Sequence, residues 1–128
     1  MSLILDASTL LAVFHREAGF EAAEPLLPYS LTSSVNLCEV LTKAVERDVP
    51  VDIVERWLRV SSVTVVPFDR RLAVEAAQLR ATTRRLGLSL GERACIALAR
   101  QRGLPILTAD RVWRELEQEL GLDIRTFR

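Results

Sequence analysis

Leu3-Ile4-Leu5-Asp6 near one end and Ile106-Leu107-Thr108-Ala109-Asp110 near the other decide how this chain reads. Each is a short apolar run that leads into a carboxylate. In an open α/β fold that pattern marks a buried parallel strand carrying a polar group to the carboxyl edge of its sheet, where such folds build their sites. The two runs lie almost a chain length apart, so only folding can bring Asp6 and Asp110 together. Acids that converge repel one another, a cost that a bound cation relieves.

Outward from these runs, strand and helix patterns alternate. Leu3 to Asp6 reads as a strand. Thr9 to Arg16 reads as a helix, with Ser8 available as its cap. Gly19 breaks it, and Phe20 to Leu27 is a short helix limited by Pro25 and Pro28. Leu31 to Ser33 is a second strand. Val35 to Arg47 is a helix with Leu37, Val40, Leu41, Ala44 and Val45 at helical spacing. Pro50 opens the next helix, through Val60. Val63 to Val66 is a β-branched strand closed by Pro67. Asp69 caps a helix from Arg70 to Leu86 that Gly87 ends, and Ser89 starts another that runs through Arg102 to Gly103. Pro105 to Thr108 is the fourth strand, Asp110 to Leu120 the last helix, and Asp123 to Phe127 an edge strand. Strands separated by helices, with no hairpin signals, predict a mostly parallel central sheet of four to five strands with helices on both faces. The 128 residues suit one domain, 1–128.

Hydrophobic residues make up 49% and aromatics 5%, so the core is aliphatic. No apolar run reaches the roughly 20 residues that cross a bilayer. Asp6 interrupts the first apolar run at once, so a signal-peptide core is not expected and a cytoplasmic protein is. The 17 basic and 17 acidic residues balance, so nucleic-acid binding would need a local patch rather than general basicity. Lys43 is the only lysine, and the remaining basic residues are arginines, whose planar fork suits phosphate. Cys38 and Cys95 read as small buried hydrophobes, and His15 as a solvent-facing or core-edge residue.

Each candidate acid also has a structural explanation. Asp6 can cap the first helix, although Ser8 or Thr9 could do so instead. Glu39 stands one turn before Lys43, a stabilising helical pair that accounts for it when taken alone. Ser89 and Glu92 match a capping box. Asp110 can cap the last helix, but it also lies just beyond the fourth strand. Glycine-rich phosphate loops are missing, no Cys/His cluster suits zinc, and a single histidine excludes a histidine-pair nuclease. The remaining chemistry is that of oxygen-donor carboxylates, which suit Mg2+ or Mn2+.

Taken in order, four segments resemble the PIN-domain ribonucleases, and within them the VapC-type toxins of toxin–antitoxin pairs. They are Leu3–Ser8, Thr32–Val40, Leu88–Ala99 and Leu107–Trp113. The resemblance spans essentially the whole chain. It implies a PIN-like domain in which Asp6, Glu39, Glu92 and Asp110 are catalytic residues and ligands of Mg2+ (or Mn2+). It is this resemblance that moves Glu39 from a helical ion pair towards function. The implied reaction is hydrolysis of an RNA phosphodiester. Ser8 and Thr108 are supporting hydroxyl donors, and Arg93 is the best-placed RNA contact.

The implied partners are an RNA substrate, a cognate antitoxin and a second copy of the chain in a homodimer, with no membrane. One departure stands out: the third acid, usually aspartate in the family, is Glu92 here, and its extra methylene moves the carboxylate by about 1.5 Å. That favours an alternative in which the module binds RNA or protein with weak or no cleavage. A receiver-type phosphorylation domain fits poorly, because Lys43 lies in a mid-chain helix. A haloacid-type phosphatase fits poorly as well, because residue 8 is serine where its second aspartate would stand.

Overall fold

The computed structural model describes residues 2–128. Five strands form one sheet in the order β3-β2-β1-β4-β5, and every pairing is parallel. They are β1 (Leu3–Leu5), β2 (Ser30–Ser33), β3 (Thr64–Val66), β4 (Ile106–Thr108) and β5 (Ile124–Thr126). The helices are α1 (Ala7–Phe14), α2 (Phe20–Ala23), α3 (Ser34–Glu46), α4 (Val51–Val60), α5 (Arg70–Thr83), α6 (Leu90–Arg102) and α7 (Glu117–Leu120). The expected α/β class holds, and the sheet is wholly parallel over the described residues.

Alternation along β1 explains the two faces. Leu3 and Leu5 point to a layer that includes Leu10 and Val13 of α1, Val40 of α3, and Val54 and Leu58 of α4. Ile4 points the other way, to Leu72 and Leu79 of α5, Ile96 and Leu98 of α6, and Trp113. The centre of the sheet is thus covered on both sides, which is why its strands lack polar alternation.

Order matters for function. The chain lays β2 and β3 to one side of β1, then returns to add β4 and β5 on the other. The crevice beyond the carboxyl ends of β1 and β4 is therefore the topological switch point. The register sets Ile4 beside Ile106 and Leu5 beside Leu107, so Asp6 and Thr108 leave the sheet as neighbours.

Several sequence expectations are corrected. Asp6, not Ser8, caps α1: its side chain accepts from the Thr9 N–H at 3.0 Å. The short helix after Gly19 is α2 followed by a 3-10 turn over Glu24–Tyr29, a tighter winding that accommodates both prolines. Helix α5 ends at Thr83 and continues as a 3-10 turn to Leu86, before Gly87 in the left-handed conformation. The segment after Asp110 is mostly a 3-10 turn, Arg111–Leu116, with α7 only at its end. Cys95 is buried as expected, but Cys38 is exposed. Lys43 pairs with Glu46 at 3.4 Å rather than with Glu39, because Glu39 is turned inward.

Two substitutions check these assignments by urea denaturation. Ile96→Ala empties a fully buried position in the α5–α6 layer and should cost about 2–5 kcal/mol. Asp69→Ala removes the oxygen that accepts the Leu72 N–H at the start of α5 and should cost about 1 kcal/mol.

Candidate active site

Asp6 is the best-held of the acids. It is 5% exposed, at the end of β1. Ser8 Oγ donates to its two oxygens at 2.8 Å each, and Thr108 Oγ1 donates to Oδ2 at 2.7 Å. The Thr9 hydroxyl lies between Asp6 Oδ1, at 3.0 Å, and the Leu107 carbonyl, at 2.7 Å. The donors are themselves held. Ser8 Oγ accepts from the Ala109 N–H at 3.2 Å, and Thr108 Oγ1 accepts from the Asp110 N–H at 3.1 Å. The ends of β1 and β4 are thus stitched together around one carboxylate. Burial pushes the Asp6 carboxyl above its usual 3.8, and the bonds from Thr108, Ser8 and Thr9 oppose the rise without cancelling it.

Glu39 arrives from the second turn of α3. Asn36 Nδ2 donates to Glu39 Oε1 at 2.8 Å and to the Gly91 carbonyl at 2.9 Å. That amide ties α3 to the first turn of α6. Gly91 leaves room there for the Glu39 carboxylate, which a Cβ at this position would displace. Asn36 is 1% exposed, and its Oδ1 has no partner.

Glu92 completes the capping box: its Oε1 accepts from the Ser89 N–H and hydroxyl at 3.3 and 3.0 Å, while Ser89 Oγ accepts from the Glu92 N–H at 3.2 Å. Its other oxygen, Oε2, accepts from the Trp113 indole at 3.1 Å. Asp110 is exposed and caps the following turn, accepting from the Val112 N–H at 3.0 Å.

The four acids line one cavity of about 250 Å3, together with Ala7, Ser8, Asn36, Ser89 and Trp113. A second sign of their convergence lies beneath it. The buried Cys95 thiol is pushed well above its usual 9.0, first by burial and then by the charges of Asp6, Glu39 and Glu92. Thr108 stands directly behind Asp6. Arg93 does not line the cavity: its Nη1 donates to the Ala76 carbonyl of α5 at 2.9 Å. Successive helical residues point about 100° apart, so the neighbour of Glu92 faces another element.

The chemistry of this donor set fits a hard divalent cation, since every side chain offered is an oxygen donor and the charges are uncompensated. As the carboxylates now lie, no three His, Cys, Asp or Glu among the described residues could hold one ion.

Asn36, Gly91 and Trp113 are the residues that sequence reasoning did not reach. Each sits beside a motif acid, but its role is a contact between elements, which spacing does not encode.

The sequence matches the PIN domain family model over residues 3–119. No curated protein matches it. Among solved structures it is similar to DNA-bound VapBC from Salmonella typhimurium, with TM-score 0.73, 23% identity, and coverage of 100% of this chain and 99% of that one. It is also similar to VapBC2 from Rickettsia felis bound to a promoter DNA fragment, with TM-score 0.72, 16% identity and full coverage of both chains, 100% and 100%. VapBC-5 from Mycobacterium tuberculosis, a member of the VapBC family of toxin–antitoxin systems, gives TM-score 0.64 at 21% identity, covering 98% of each chain.

Asp6 carries a pH signature. Its folded carboxyl binds a proton more tightly than the unfolded chain does. Its contribution to stability is therefore fully present below the unfolded value and is lost as pH rises through the raised one. Asp6→Asn should accordingly raise the melting temperature at neutral pH, and the gain should shrink as the pH falls towards 4. Thermal melts of both proteins across that range check it. Gly91→Ala should change stability by less than about 1 kcal/mol in denaturant, because alanine is the better helix former and its methyl group displaces only the flexible carboxylate end of Glu39.

Proposed function

The chain belongs to the PIN-domain family, and from that premise we propose that it is a divalent-cation-dependent endoribonuclease, the toxin of a toxin–antitoxin pair. PIN domains are typically nucleases, which supports a hydrolase at the coarse level. The observation that carries the finer reading is the single cavity lined by Asp6, Glu39, Glu92 and Asp110 at the switch point of the sheet.

In this reading the four carboxylates hold Mg2+ or Mn2+, which supplies positive charge that acidifies water and offsets the charge of a phosphodiester. The chain's own part is to fix the donors. Ser8 and Thr108 orient Asp6 by bonds to both its oxygens. Asn36 fixes Glu39 against α6. No histidine or lysine lines the cavity, so any general base drawn from its lining is one of the carboxylates. Arginines elsewhere on the surface carry the phosphate contacts of RNA, with Arg93 committed to α5 unless RNA draws it out.

The toxin reading is supported by the VapBC complexes among the structural neighbours. It brings with it a cognate antitoxin and a homodimer as partners, in the cytoplasm. No helix among the described residues is long and apolar enough to cross a membrane. A second reading, a module that binds without cleaving, is favoured by one observation: no three His, Cys, Asp or Glu side chains among the described residues are placed to hold one ion.

A cleavage assay separates the two readings. The purified protein should cut a structured RNA with Mg2+ or Mn2+ and stop with chelator. Asp6→Asn should lower the rate about a hundredfold or more while leaving circular dichroism unchanged. Retained cleavage in that variant rejects the assignment, and wild-type protein that binds RNA without cutting it supports the second reading. In a separate measurement, millimolar Mn2+ should raise the melting temperature, since a ligand at a hundredfold excess over its Kd stabilises by about 2.7 kcal/mol.

A further inference from the structure

We propose that Trp113 is a positioning residue for Glu92, its indole N–H fixing the carboxylate so that a glutamate can serve as a cation donor at the third acidic position. The inference rests on the reading of the cavity as a divalent-cation site.

The geometry is specific to the indole. Glu92 Oε1 is occupied by the Ser89 N–H and hydroxyl, at 3.3 and 3.0 Å. A carboxylate offers about four acceptor sites, two on each oxygen. Ser89 takes those of Oε1. The Trp113 Nε1–H takes one site of Oε2, at 3.1 Å, and leaves the other for a ligand. Both side chains line the cavity. One oxygen of Glu92 therefore serves α6, and the other is held at the cavity wall.

The anchor is rigid. Trp113 is 1% exposed and packs in the core cluster that contains Leu116, Ile124 and Ile96. Its ring cannot follow the carboxylate, so the core dictates where Oε2 lies. The same 3-10 turn begins at Asp110, so one short segment carries the fourth acid and orients the third. This matters more for glutamate than for aspartate. The extra methylene adds a rotatable bond, and a side chain ordered before the ion arrives loses less entropy on binding it. Packing alone does not explain the contact: burial of the ring does not require its N–H to meet Oε2, and the capping box needs only Ser89 as the partner of Glu92. A donor held on a ligand's outer side commonly sets metal affinity by about 10–100-fold.

The test uses the full chain and Mn2+ itself. Calorimetric titration compares wild type, Trp113→Phe and Leu58→Ala. Leu58 lies in the core cluster on the other face of the sheet and does not line the cavity, so its loss reports damage to packing alone. Trp113→Phe should weaken Mn2+ binding about tenfold, and Leu58→Ala should leave it unchanged at a temperature where both are folded. A second measurement leaves residue 113 intact and so does not depend on the folding of Trp113→Phe. The chain has two tryptophans. The other, Trp57, packs edge-on against Phe14, away from the cavity. In Trp57→Phe protein, the emission of Trp113 should shift with Mn2+ at the calorimetric midpoint. Unchanged affinity in Trp113→Phe, tighter binding in it, or emission that ignores saturating Mn2+ would each overturn the proposal while leaving the cation reading in place. Wild-type protein that takes up no Mn2+ would remove both.

Discussion

One buried carboxylate organises this molecule. Asp6 stands where β1 leaves the sheet, and the hydroxyls that satisfy it come from its own turn and from the end of β4. Those hydroxyls accept backbone N–H groups from Ala109 and Asp110. The parallel register of β1 and β4 is thus continued past the strands by side chains. An ionised group in so dry a place is costly unless every acceptor is filled, and here burial still outweighs the bonds. The fold keeps a carboxylate whose charged form burial disfavours, a pattern that usually marks function.

The other acids are brought to that point by helix starts. Glu39 lies against the first turn of α6 and Glu92 sits within it, where the unpaired N–H groups of a helix favour negative charge. Two small devices make this possible. Gly91 leaves room for the Glu39 carboxylate, and Asn36 spends its amide hydrogens on that carboxylate and on the α6 backbone. The remaining Asn36 oxygen is buried without a partner. An orphaned acceptor costs about 1–3 kcal/mol.

The fold was readable because its signals are local and periodic. Apolar runs ending at Asp6 and before Asp110 gave the two central strands, and Gly87, Ser89 and Gly103 marked helix ends that the structure keeps. The four acids were readable as members of a pattern, not from their own chemistry: each doubles as a cap or a helix residue. What stayed hidden is tertiary. Ser8 looked like the cap of α1, but its hydroxyl is drawn to the Asp6 carboxylate, leaving Asp6 to cap as well. Glu39 and Lys43 had ideal spacing, yet a buried amide competes better for Glu39 than an exposed ammonium does. Arg93 neighbours Glu92 in sequence, but the helical rotation aims it at α5. The 3-10 winding after Asp110 follows from no residue in it that we can name.

The central claim is that these four side chains act as one cation site. Anomalous diffraction from crystals soaked in Mn2+ tests it most directly. The account predicts a peak inside the cavity, within coordinating distance of Asp6 and at least two of Glu39, Glu92 and Asp110. No peak there, at a Mn2+ concentration that supports RNA cleavage, would contradict it.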